Sequence, residues 1–412
     1  MKNLILLSVL IGLFSGCNRG DTLVPVGVEL RTESIKRLGY GGDNWCITWA
    51  ADGSQVTSMC DGDWLQDVSP QDEYHNHLYR ILGDADNFTR EDIPNYPQFI
   101  KAGEGWFGYG VCAVNGTIYS LVSRTQGANW SGPFRGIKML KSKDNGKSWS
   151  TVSKSGKELP IDPLDEVARE DLSPERMLFM EDYGRNNHGG VGYPFAFCSF
   201  VQQGQDHSAA PDEYVYIYSP EGSQTNQLLL ARMKSSEVEK RDAWEYFSSW
   251  NGNVPVWTKD INKREPVHVF PESNAAGEYF GWYSWLPSVV WNKGLGLYIM
   301  VNGGTYAGRG MTNSLEDFYS GWVHTKTGSL GFWYSENPYG PWKQFFYTDY
   351  WTIDEENRTY QPKLSPKWIS EDGKKMIFIW SDAMKNEEGK YWTKHYLWNQ
   401  MEIEILVDKL ID

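Results

Sequence analysis

Asp43, Asp61 and Asp63 are the side chains that type and spacing best equip to do chemistry together. They bracket the run from Trp45 to Cys60, in which Asp52-Gly53 is a strong hairpin signal between two β-rich segments. With Cys46 set opposite Cys60, Asp43 falls opposite Asp63 and Asp61 opposite Trp45. Alternation then puts the three carboxylates and Trp45 on one face, at the end away from the turn. Like charges across a strand pair cost stability, so such a cluster calls for a use. Cleavage of a glycosidic bond supplies one. It needs one protonated carboxyl as acid and one ionised carboxylate as base or nucleophile, and mutual repulsion lets both forms coexist near neutral pH. A calcium ion held by hard oxygen ligands, or solvated loop charge, are the competing readings of the same cluster. On the catalytic reading Asp43 and Asp61 are the acid/base pair, Asp63 modulates them, and Trp45, Trp64 and Trp106 offer rings for sugar stacking. Asp52 belongs to the turn. Glu104, Glu181, Asp182 and Asp382 are further acids, each more simply read as surface charge.

A second constellation is Tyr183-Gly-Arg185-Asn-Asn-His188-Gly-Gly-Val-Gly-Tyr193. A lyase that cleaves beside a uronic acid needs a cation for the carboxylate, a base and a proton donor, roles open to Arg185, His188 and Tyr193. Contact with substrate is the simpler role for these residues. His75 and His77 sit two apart and share a strand face, half of a zinc site without a third ligand at metal spacing.

The elements that must position these groups are short strands. Cys46–Ala50, Gln55–Met59, Thr117–Val122, Tyr214–Tyr218, Leu228–Met233, Leu297–Val301 and Lys375–Trp380 are rich in β-branched and aromatic residues and bounded by turn residues. Ser173–Met180 and Ser235–Phe247 are the best helix candidates, both short and polar. Ser142-Lys-Asp144-Asn-Gly146-Lys-Ser-Trp149 fits the Asp-box pattern, in which the Asp bonds turn amides, the Gly takes a left-handed backbone and the Trp packs the hairpin. Tyr334 to Trp342 is a degenerate echo of it. The expectation is an all-β protein, a β-propeller of five to seven blades with five favoured, formed by one domain over residues 32–412.

Composition narrows the partners. Net charge is −14, which argues against nucleic acid. Twenty Trp and 24 Tyr exceed what packing alone demands, which favours a saccharide ligand or structural use of Trp in each blade. At the N-terminus, Met1-Lys2-Asn3 precedes the apolar run Leu4–Phe14 and then Ser15-Gly16-Cys17. This reads as a signal peptide over residues 1–16, lipidation of Cys17 and a tether over residues 17–31, anchoring a monomer to the cell envelope, most simply the outer membrane. Phe14 is an unusual occupant of its place before the cysteine. Cys46, Cys60, Cys112 and Cys198 show no metal spacing, and their pairing is left open.

Asp43-Asn-Trp45, Trp49-Ala-Ala-Asp52-Gly53 and Asp61-Gly62-Asp63 resemble the opening blade of a family of secreted propeller-like proteins. Further matching segments are Asp212–Tyr218, Leu230–Met233, Trp244–Phe247, Pro287–Asn292 and Asn337–Trp342, so the likeness spans roughly residues 38 to 384. That family includes the endo-D-arabinanases of glycoside hydrolase family 183 and is similar in architecture to propeller ulvan lyases. The resemblance implies a propeller that cleaves polysaccharide, with the paired acids at Asp43 and Asp61. Cys46 stands where related sequences more often carry proline, and Cys60-Asp61-Gly62-Asp63 departs from a simpler Gly-Asp pattern, so the substrate does not transfer. The functional expectation is a glycoside hydrolase acting on a complex polysaccharide without a cofactor. A β-eliminating lyase and a non-catalytic glycan-binding lipoprotein are the alternatives.

Overall fold

Runs that alternate apolar and polar residues and end in Gly or Asn turns fold back on their sequence neighbours, and the product is a series of antiparallel meanders. The computed structural model describes residues 23–69, 72–97, 106–125, 134–161, 174–180, 194–221, 226–271, 275, 279–280, 286–303, 307–308, 329–349, 351–353, 359–382 and 396–409. The first meander is Ile47–Trp49, Gln55–Met59, His77–Asp84 and Asn87–Asp92. The second runs from Trp106–Val114 through Thr117–Thr125 and Phe134–Ser142 to Ser150–Val152 and Glu158–Leu159. Ser199–Gln202, Tyr214–Pro220, Gln227–Lys234, Glu245–Asn251 and Val254–Thr258 make the third. The fourth is Ser288–Asn292, Leu297–Gly303, Leu330–Ser335 and Lys343–Thr348. In the last, Thr359–Ile369, Lys375–Asp382 and Trp398–Lys409 are joined on the outside by Leu23–Leu30 from the other end of the chain.

The arrangement is a β-propeller. Five apolar clusters sit at the five seams between successive meanders. One, for example, packs Trp45, Trp64 and Tyr79 of the first against Trp368, Ile379 and Trp398 of the last. Each sheet is thereby covered on both faces, which is where the large Trp complement goes.

Polar stitches cross the same seams between neighbouring meanders. Ala113 N donates to Thr48 Oγ1 (2.9 Å), Gln202 Nε2 to Val111 O (2.9 Å), and Ser199 Oγ to Pro287 O (2.9 Å). Leu364 N donates to Ser288 Oγ (3.0 Å), and Ser365 Oγ to Gln55 Oε1 (2.7 Å), which joins the last meander to the first.

Two expectations need correction. Leu23–Leu30, read as part of the tether, is a strand paired antiparallel with Ile403–Lys409 through a bulge between Pro25 and Gly27, and it forms the outer edge of the last sheet. The two helix candidates contain only the single 3-10 turns Pro174–Arg176 and Arg241–Ala243 among the described residues, and Glu245–Asn251 is strand. The Asp-box geometry is as its chemistry requires. Asp144 accepts from Ser148 N (2.8 Å) and Ser148 Oγ (2.6 Å), Gly146 has φ +88°, and Trp149 Nε1 donates to Gly146 O (3.2 Å).

Ser365 is fully buried, and besides its bond to Gln55 it accepts from Trp368 N (3.1 Å). Ser365→Ala is expected to lower unfolding free energy by about 1–3 kcal/mol, because it strands buried polar groups at the ring-closing seam. Urea denaturation measures this, with Ser150→Ala on a less buried strand as the control expected to change little.

Candidate active site

The first hairpin does turn at Asp52-Gly53, but it centres on Asp52. The Asp52 carboxylate accepts from Ser54 N (3.0 Å) and Ser54 Oγ (2.6 Å). Ile47 therefore lies opposite Thr57, and Ser58 N donates to Cys46 O (2.8 Å), so Cys46 is not opposite Cys60. The chain then kinks at Asn44 (φ +56°), and Asp43 pairs with Cys60 through backbone bonds of 2.9 and 3.0 Å. The predicted pairings Asp43–Asp63 and Asp61–Trp45 are thereby corrected.

On the other side of the same strand the register is regular. Met59 is opposite His77 and Gly62 opposite Tyr74, which sets Asp61 across from His75 with Glu73 beyond. A regular pleat would send Asp61 to the face away from Cys60 and Asp43. Asp61 is instead left-handed, with φ +54°, and this breaks the alternation. Its charge is the second-largest influence on the proton of Asp43.

The electrostatics follow from this packing. Burial, then the Asp61 charge, push the Asp43 carboxyl well above its usual range, outweighing bonds from Tyr396 and from Asn44 Nδ2 (2.7 Å). Glu73 is raised to about 7 by burial and by Asp61, with His75 opposing. His75 Nδ1 lies 2.5 Å from Asp61 Oδ1. Burial works against its charge, but the bond to Asp61 and the Asp61 and Glu73 charges prevail and raise it. Burial also pushes up the Tyr109 hydroxyl on the second inner strand, with Cys60, Asp61 and Asp43 adding to it. Lys363 on the last inner strand is lowered by burial, against the opposing pull of Cys46 and Asp43. Its Nζ donates to Leu286 O (3.2 Å) and Gln361 Oε1 (3.4 Å).

Asn44, Phe195, Leu286 and Gln361 all have positive φ, between 45° and 59°, and each stands just before or at the start of an inner strand. For Phe and Leu this is a strained backbone, of the sort that persists where surrounding packing enforces it. The corresponding place in the second meander lies outside the described residues.

The structure thus brings Asp43 and Asp61 together and adds Glu73 and His75. Asp63 does not join them as modulator. Its carboxylate accepts from Tyr79 Oη (3.0 Å) and Leu65 N (2.8 Å), so it fixes the loop after the hairpin. Trp45, Trp64 and Trp106 are corrected as sugar-stacking rings, since each is at most 2% exposed. Trp64 stacks on Trp398 at 4.8 Å, and Trp106 lies beside the Arg124 and Lys138 cations. These rings are core, worth about 3–5 kcal/mol each if truncated. His77 bonds Asp92 rather than sharing a metal with His75, and Asp382 is buried. Arg185, His188, Tyr193, Glu104, Glu181, Asp182 and Cys17 lie outside the described residues. The four thiols Cys46, Cys60, Cys112 and Cys198 are buried and unpaired.

Glu73 went unnoticed in the sequence, although Glu73, His75 and His77 alternate along one strand face. Asp61, Glu73 and His75 present ligand atoms within 4.8 Å of one another. Two carboxylates and an imidazole suit zinc or manganese better than calcium. A 2.5 Å contact between Asp61 and His75 is, however, an ion-pair separation, and ligands sharing an ion would stand about 3 Å apart.

No family model matches the chain, and no curated protein matches it. Among solved structures, a Bacteroides ovatus protein described as a candidate hydrolase is similar at 12% identity and TM-score 0.47, over 89% of this chain and 87% of its own. The catalytic domain of a Coprinopsis cinerea GH62 α-L-arabinofuranosidase is 12% identical with a TM-score of 0.44, over 90% and 97%. A GH43_1 enzyme from Xanthomonas citri complexed with xylotriose is 11% identical with a TM-score of 0.43, over 94% and 93%.

Glu73 keeps its proton up to about pH 7 in the folded chain, against an ordinary value of 4.5. Folding therefore takes up a proton between those limits, and stability falls as pH rises through them. Glu73→Gln, which cannot ionise, is expected to melt higher than wild type above pH 7, with the advantage fading towards pH 4.5. Thermal melts across that window check the sign. A pH-independent difference contradicts it.

Proposed function

We propose that this chain is a glycoside hydrolase that cleaves a complex polysaccharide with Asp43 as general acid and Asp61 as base or nucleophile, on a propeller in which each meander is one blade. The observation that carries this reading is the division of environments. Asp43 is buried and held protonated, while Asp61 is partly exposed and bonded to His75. Glycoside hydrolysis demands such a pair, one carboxyl to protonate the leaving oxygen and one carboxylate to attack or to activate water.

His75 positions Asp61 through the 2.5 Å bond and balances its charge. Asp61 is the main group that holds His75 charged, and Glu73, on the same face, adds to this once it has lost its proton. Tyr396 and Asn44 fix the Asp43 carboxyl from two sides. The chemistry is complete with protein groups alone, so the proposal includes no cofactor. The Leu4–Phe14 run before Cys17 supports export and lipid anchoring of a monomer at the cell envelope, where an enzyme acting on large glycans would meet its substrate.

Asp43→Asn and Asp61→Asn are each expected to lower kcat by about 10²- to 10⁴-fold on a glycan that wild type cleaves, read as new reducing ends, with thermal melting little changed. The wild-type rate should be bell-shaped in pH, falling on the alkaline side as Asp43 loses its proton. Full turnover in either variant removes the assignment. Ultraviolet-absorbing unsaturated products would make the enzyme a lyase instead.

A further inference from the structure

At the opposite end of the propeller axis from Asp43 lies a cavity of about 980 Å³ that the acid/base reading does not use. It is formed where four inner strands end, with Trp49 from the first, Gly204 after the third, Trp291 from the fourth and Pro366 from the last on its wall. Asp43 precedes the kink at Asn44 and Trp49 ends the short strand Ile47–Trp49, so the two sites stand at most about 20 Å apart along this segment.

The walls owe their alignment to the strand kinks. Trp49, Trp291 and Pro366 each stand five residues beyond a left-handed residue, namely Asn44, Leu286 and Gln361. The same step from the same kink brings all three to one depth, so two indoles from separate meanders meet at one opening. Both are partly exposed, unlike the wholly buried Trp45, Trp64 and Trp106. Ser208, Lys293 and Glu371, all exposed, add a hydroxyl, an ammonium and a carboxylate to the lining.

We propose that this cavity is a second binding site for a neutral glycan chain, separate from the carboxylate cluster. Indole faces stack on the apolar C–H faces of sugar rings, and neighbouring hydroxyl and charged groups bond the sugar hydroxyls. The volume is that of an ordinary ligand site. The lining carries Lys293 and Lys367 against Glu371, but the Lys367 ammonium is taken up by Gly53 O (2.8 Å) and Gly83 O (3.2 Å). The other two charges therefore balance, and a chain of net charge −14 favours an uncharged partner over a polyanion. Binding here does not rest on the hydrolase reading. If that reading holds, this site would retain a long substrate at the surface between cleavages.

The test is native affinity electrophoresis of the Asp43→Asn/Asp61→Asn protein through gels containing arabinan, arabinoxylan or mannan, with polygalacturonate as the anionic control. At least one neutral polymer is expected to retard it. Adding Trp49→Ala and Trp291→Ala should weaken that retardation at least tenfold. Ser208→Trp, which obstructs the cavity and keeps both rings, should do the same and guards against misfolding of the double alanine. No retardation by any neutral polymer, retardation by polygalacturonate alone, or retardation untouched by Ser208→Trp would each overturn the proposal. Retardation without any cleavage by wild type would keep this site and remove the hydrolase reading.

Discussion

Everything else in this protein depends on how the inner strands are joined around the axis. Among the described residues only those of the third and fourth meanders pair directly, Val201 with Val289 and Gln202 with Val290, so most seams must be held by something other than backbone pairing. The answer is a ring of side-chain stitches, Thr48, Gln202, Ser199, Ser288 and Ser365, each crossing one seam between neighbouring meanders. They hold the inner strands close enough for five aromatic-rich clusters to close behind them. The N-terminal strand Leu23–Leu30 then completes the outer edge of the last sheet, so the two chain ends secure one another.

Within that ring the acidic groups are affordable because the backbone decides which of them meet. Asp43 is drawn inwards by its pairing with Cys60, and Asp61 is turned towards it by a left-handed residue that breaks the pleat. Neither device is a matter of charge. Charge follows from them, as a buried proton on one carboxyl and an ion pair on the other.

The strands, the first turn and the Asp-box could be read from composition and turn chemistry, because those signals are local. The pairing register could not. Shifting the turn centre to Asp52 depends on its bonds to Ser54, and the kink at Asn44 has no sequence pattern of its own. Trp45 and Trp64 show the same limit in another form, since an indole in a loop near carboxylates reads as a sugar platform until a partner such as Trp398, over 300 residues away, is seen to cover it. Leu23–Leu30 was missed for a similar reason, its partner strand lying at the far end of the chain.

The thiols give this architecture a quieter property. Cys60 Sγ lies 3.0 Å from the carbonyl oxygens of both His75 and Gly108, at the seam between the first two meanders and directly behind the carboxylates. Since none of the four buried cysteines is cross-linked, the fold owes nothing to an oxidant and would close identically in a reducing or an oxidising compartment. Alkylation of Cys60 would require that seam to part, so the thiol serves as a built-in gauge of how often the ring opens beside its acids.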